Sequence, residues 1–108
     1  MQNVVVFCTS KPDEAERIAK FVVEKRLVAC VNVIASVRSF FWWHDAMQDE
    51  EESLLIMKTT EDRLDELIKH IKEIHSYEVP EIIALPIIRG HNAYLEWLRN
   101  AVGAPHND

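Results

Sequence analysis

A chain of 108 residues is the size of a single domain with its own core, and 48% apolar with 28% charged residues is a globular balance. Eighteen acids against 12 bases leave a net charge of −6, which argues against a nucleic-acid phosphate binder and against an anionic membrane surface as partner. Two cysteines are too few for a disulfide framework, no apolar run reaches membrane-spanning length, and the first seven residues lack the basic start of a signal peptide. A cytoplasmic protein with two free thiols is expected.

Residues 4–8 form a β-branched run that reads as a buried strand. Ser10 then offers a cap, Pro12 a first-turn residue, and Asp13 and Glu14 charges suited to a helix start. Ala15, Ile18, Ala19, Val22 and Val23 recur at helical spacing, so an amphipathic helix runs to about residue 25. Two extended runs follow, 28–34 and 37–43, with Ala35-Ser36 as a bend or bulge between them. A polar turn over 45–51 and a return strand over 53–57 complete a β-hairpin. Thr60 caps a second helix whose stripe is Leu64, Leu67, Ile68, Ile71 and His75. Residues 82–88 make a last strand, with Pro86 fit only for an edge or a bulge. Gly90-His91-Asn92 opens a final helix with Tyr94, Leu95, Leu98, Ala101 and Val102 inward, ended by Gly103 and Pro105.

The order β-α-β-β-α-β plus a terminal helix predicts an α+β fold, a ferredoxin-like antiparallel sheet. That topology carries Cys8, the turn His75-Ser76-Tyr77-Glu78-Val79-Pro80-Glu81 and the acidic hairpin tip to one rim. The turn is a candidate site, or a corner whose polar groups serve the backbone. Cys8 and His75 are the residue types that hold a soft or borderline divalent metal, though two ligands do not close a site. His44, Asp45, Asp49 and Glu52 read as a solvated tip rather than a hard-cation loop. In Phe40-Phe41-Trp42-Trp43 alternate residues point to opposite faces, so large aromatics emerge on the face that helices leave bare. The implication is an oligomer whose sheets pack together. Glu78 and Glu81 beside Tyr77 could do acid–base work, but no nucleophile elbow, phosphate loop or dinucleotide fingerprint accompanies them.

Several spaced motifs together resemble the CutA family of divalent-cation tolerance proteins. They are Leu27-Val28-Ala29-Cys30-Val31-Asn32, Ser39-Phe40-Phe41-Trp42-Trp43, Glu52 with Lys58-Thr59, the His75–Glu81 turn, and Tyr94-Leu95 with Trp97-Leu98. The resemblance implies a homotrimer with inter-subunit sheet packing and a non-enzymatic, cation-binding role in metal tolerance, chiefly copper, with no organic cofactor. It places the metal ligands at Cys8 and His75, while Ile74 stands where the family carries a second histidine. It also implies an assembly similar to the PII signalling proteins. On that alternative a small ligand or protein partner is bound in an inter-subunit cleft of Trp43, Glu52, Lys58, Tyr77, Glu81 and Trp97.

Overall fold

The computed structural model describes residues 2–103, so Pro105 lies outside the described residues. The chain runs β1 (Asn3–Ser10), α1 (Ala15–Glu24), β2 (Cys30–Trp43), β3 (Ala46–Thr60), α2 (Leu64–Ile74), β4 (Ile82–Pro86) and α3 (Asn92–Gly103). The strands form one antiparallel sheet in the order β2-β3-β1-β4. This is the expected ferredoxin-like arrangement.

Alternation decides which residues meet which layer. Val4, Val6 and Cys8 pair with Thr59, Met57 and Leu55, so all six share one face. Against them α1 and α2 lay Ile18, Val22, Leu67 and Ile71, all fully buried. Each such side chain contributes about 1.5–3 kcal/mol by leaving water. The intervening residues Val5, Phe7, Leu54 and Ile56 point to the second face and stay half-buried.

α3 lies against β3 and β1 apart from the α1–α2 layer, and its Leu98 and Val102 are buried there. It covers part of the second face, so that face is neither bare, as the sequence suggested, nor closed. Tyr94, expected inward, is 41% exposed and stacks on Trp97 with ring centroids 5.4 Å apart. The loop before α3 also starts earlier than expected. β4 stops at Pro86, the edge strand's last residue, and Ile88 projects into solvent.

The hairpin differs from expectation at its tip. Residues 46–52 are strand, and the turn is only His44-Asp45, both left-handed at φ 52° and 61°. Two central residues at positive φ match the right-handed twist of the flanking strands. The ladder then runs unbroken from Trp43–Ala46 to Val37–Glu52. Ala35-Ser36 is a bulge, two residues facing Ser53 alone, with the Ser53 hydroxyl donating to the Ala35 carbonyl at 2.7 Å. The result is a long arm reaching past the helices, and the molecule measures 46 × 28 × 22 Å.

Neither expected cap forms. A single 3₁₀ turn, Pro12–Glu14, precedes α1 with Lys11 rather than Ser10 at its N-cap, and Thr60 stands at the N-cap of the turn Glu61–Arg63 without a side-chain cap bond. The Ser10 hydroxyl turns to the Lys11 carbonyl at 2.9 Å and that of Thr60 to the Asp62 carboxylate at 2.5 Å.

Candidate functional site

α2 ends where His75 turns extended, at φ −83° and ψ 140°. Its ring folds onto β1. Nε2–H donates to the Thr9 carbonyl at 2.7 Å, and Nδ1 accepts the Tyr77 N–H at 3.1 Å, which assigns the proton to Nε2. The imidazole also packs on Tyr77, with centroids 4.7 Å apart. One side chain thus ties the end of α2 to β1 and shapes the turn that follows.

A second tie runs from α1. The Glu14 carboxylate accepts the Ser76 N–H at 3.2 Å and the Ser76 hydroxyl, with Arg17 at 3.5 Å. Burial alone would raise the Glu14 carboxyl. The two bonds from Ser76, with His75 and Arg17 nearby, overcome that and hold it below the usual carboxylate range. Arg17 in turn donates to the Ile74 carbonyl at 3.1 Å, satisfying the end of α2. The turn is therefore fixed from two sides, and Tyr77 leaves it in a set direction.

That direction is toward the hairpin arm. The Tyr77 hydroxyl donates to Glu52 Oε2 at 2.7 Å, joining the turn to β3 across 25 residues of sequence. Partial burial, then the Glu52 carboxylate, push the phenol well above its ordinary value, so it stays protonated and donating. Between turn and arm lie two recesses of about 420 Å³ each, which share Phe41, Trp43, Tyr77 and Val79 as walls. Lys11, Gln48, Glu50, Glu51 and Glu78 complete one; Thr9, Ser39, Phe40, Glu52 and Glu81 complete the other.

Of the residues expected at a cleft, Trp43, Glu52, Tyr77 and Glu81 do line this one. Lys58 and Trp97 do not meet it within one chain. Lys58 pairs with Val5 and Cys30 six residues along β3 from Glu52, about 20 Å at strand rise. There it reaches the Asn32 side chain and lies 4.0 Å from Cys30 Sγ, and Trp97 sits on α3. Sequence reasoning overlooked Phe41, although it shares a strand face with Trp43, and overlooked Glu14, whose partner is 62 residues away.

The copper pair fares differently. Cys8 and Thr9 do lie under His75, as the topology required. Cys8, however, is fully buried on the helix side of the sheet. Its thiol is pushed up to about 12, first by burial and then by Glu81 and Glu52, so it is held protonated at neutral pH. Both His75 nitrogens are committed to backbone, and Ile74 has no lone pair. Among the described residues no three His, Cys, Asp or Glu side chains converge as metal ligands do. Within one chain, in this conformation, the expected ligands Cys8 and His75 serve the core and the turn and do not form a copper site.

An antiparallel four-stranded sheet with three helices, a long hairpin arm and a recess under it defines a ferredoxin-like α+β domain of distinctive outline. The sequence model described as "CutA1 divalent ion tolerance protein" matches residues 3–101, and the chain belongs to that family. It is 41% identical over 103 residues to the divalent-cation tolerance protein CutA of Thermus thermophilus, covering 95% of this chain and 100% of that one. It is 45% identical over 100 residues to the chloroplastic protein CutA 1 of Oryza sativa, covering 92% of this chain but only 56% of the rice protein. The solved CutA1 from Oryza sativa superposes with a TM-score of 0.92 at 41% identity over 96% of each chain. A PII-like protein CutA from Nostoc superposes at 0.86 and 29% identity over 94% of this chain and 97% of that one. A CutA from Archaeoglobus fulgidus, described as periplasmic, superposes at 0.89 and 39% identity over 93% and 98%. Relatives thus carry chloroplast and periplasm in their names. Within residues 2–103 no helix is long and apolar enough to cross a membrane.

Proposed function

We propose that this chain acts as a homotrimeric, non-enzymatic divalent-cation tolerance protein whose cation-responsive site is the rim cleft, set at a subunit boundary. The observation that carries the reading is the uncovered part of the second sheet face. By register Ile34, Phe41, Trp43, Ile83 and Leu85 all point there, and they are 44%, 38%, 39%, 50% and 43% exposed. A monomer rarely leaves so much contiguous apolar surface in water, and a second sheet is the natural cover. The cleft borders that face, so assembly would bring another copy's residues beside it. Lys58 and Trp97 of a neighbouring copy are the proposed contributors. Copper or another divalent ion would then be held by ligands from more than one copy.

A binding role suits the chemistry at the rim better than catalysis. The Cys8 thiol and the Tyr77 phenol are both held protonated by burial and nearby carboxylates, and His75 has no free nitrogen to move a proton. A cytoplasmic location belongs to the same reading, supported by two unpaired cysteines. Sedimentation velocity at low micromolar concentration is expected to show one trimeric species. A monomer would overturn the assembly and, with it, the shared site.

A PII-like signalling role for the same cleft is favoured by the description of the Nostoc relative and by recesses of small-molecule size. A thermal-shift screen of nucleotides and metabolites tests it. Silence across a broad panel would count against it.

A further inference from the structure

Cys30 is the thiol that lies away from the rim, and it does not stand alone. On the second sheet face it is the direct cross-strand partner of Lys58, so the two side chains leave neighbouring strands side by side. Lys58 Nζ lies 4.0 Å from Cys30 Sγ, and the Asn32 side chain, two residues along β2, holds the ammonium there. Asn32 Oδ1 also lies 3.7 Å from the sulfur. Tyr94 approaches the group from α3: burial first, and then Cys30 beside it, push the phenol above its ordinary value. Three elements thus set a thiol against an amine on a face whose next residues, Val5 and Ile56, are apolar.

That pairing decides what an oxidised Cys30 meets. Cys30 is half-buried, whereas Cys8 is fully buried under the helices. Thiol oxidation follows exposure, so a hydroperoxide reaches Cys30 first. A sulfenic acid formed there has no second thiol to condense with in the same chain, because Cys8 points to the opposite side of the sheet. The nucleophile beside it is the Lys58 amine. Closing 4.0 Å to a covalent S–N bond asks only for rotations in the flexible four-carbon lysine stem, since the two backbone positions are already paired.

We infer that Cys30 and Lys58 form a peroxide-sensitive modification site, joined through a sulfenamide bond when a hydroperoxide oxidises the thiol. In the first step the sulfur attacks a peroxide oxygen and the O–O bond breaks. The thiol becomes a sulfenic acid, and the hydroperoxide leaves as its alcohol, or as water from hydrogen peroxide. In the second step Lys58, having given a proton to solvent, attacks that sulfur, the S–O bond breaks and water leaves. The sulfur loses two electrons and the peroxide gains them, so no further oxidant is needed. A dithiol reverses the link: one of its sulfurs attacks Cys30 and frees the amine, and the other closes the dithiol into a disulfide and releases Cys30. The assembly proposed above lends Lys58 to a neighbouring copy's cleft, and the link would hold it on its own β2 instead. That consequence rests on the assembly reading; the link itself is made within one chain.

Mass spectrometry near neutral pH of the assembled full chain, treated with hydrogen peroxide, tests it. Each chain should lose about 2 Da, the two hydrogens of the new S–N bond, and dithiothreitol should restore them. Fragmentation should show a peptide in which Cys30 is joined to Lys58. Cys8→Ala should lose the same mass. Lys58→Arg keeps the charge without the nucleophilic amine, so its Cys30 should gain an oxygen that dimedone traps, and then a second. Should Lys58→Arg fail to fold, the joined peptide of the wild type still decides. The same loss in Lys58→Arg, chains linked to one another through Cys30 on a non-reducing gel, or a wild type that passes straight to the sulfinic acid would each overturn the inference. A link formed in a protein that sediments as a monomer would support it and strike the assembly alone; a trimer that forms none would do the reverse.

Discussion

His75→Ala is the sharpest probe of how the rim is held. The substitution deletes the Nε2–H bond to Thr9 and the bond from the Tyr77 N–H, and removes the ring packed on Tyr77. Each hydrogen bond contributes roughly 1 kcal/mol net, and stranding their buried partners adds to the loss. A destabilisation of about 2–4 kcal/mol follows, large for one side chain at a helix end. Urea unfolding at fixed protein concentration measures it, with an unchanged m-value as the sign that only stability moved. Two further variants divide the effect. His75→Asn keeps an acceptor at the Nδ1 position for Tyr77 N–H, and His75→Gln keeps a donor at the Nε2 position for Thr9. Each should recover part of the loss. A His75→Ala midpoint within about 0.5 kcal/mol of wild type, or Asn and Gln no better than Ala, would refute the reasoning.

Three other outcomes follow from the same geometry. In native protein at neutral pH a thiol reagent should modify Cys30, which is half-buried, and spare Cys8, whose thiol is sealed and pushed up to about 12; denaturation should expose both. Replacing His44-Asp45 with Asn-Gly should stabilise the hairpin by about 0.5–1 kcal/mol, because both positions are left-handed, read as a raised urea midpoint. The Glu14 carboxyl is lower in the folded than in the unfolded chain, so its stabilisation is present above the ordinary value of 4.5 and fades as pH falls below it. Glu14→Gln should therefore cost stability at pH 7 and much less near about pH 3, and an equal cost at both would contradict the assigned cause.

The layers of the fold were legible because period carries them. Val4, Val6 and Cys8 alternate, while Ile18, Val22, Leu67 and Ile71 recur at helical spacing, and these are the residues that form the core. The bulge at Ala35-Ser36 was anticipated as one of two readings. The hairpin turn was misplaced because His44-Asp45 lacks the asparagine and glycine that normally announce left-handed positions. The caps were misread because a 3₁₀ turn ahead of each helix leaves no pattern in the side chains.

At the rim, residue types pointed to the right neighbourhood but not to the bonds made there. Cys8 and His75 are ligand types, and topology brings them together. What they bond to depends on carbonyls and amides, which a sequence does not display. The pairing of Tyr77 with Glu52, and of Ser76 with Glu14, joins elements far apart in the chain and has no local signature. Trp43 and Glu52 were found through the family resemblance. Phe41 could have been added from strand alternation alone.

Cations are proposed to meet the protein at the rim cleft and not at the buried Cys8 and His75. The most direct test is a calorimetric titration of the assembled protein with Cu²⁺ and Zn²⁺, comparing wild type, Cys8→Ala and Glu52→Gln. Cys8→Ala should retain wild-type affinity while Glu52→Gln weakens it. Affinity lost in Cys8→Ala and kept in Glu52→Gln would contradict the claim.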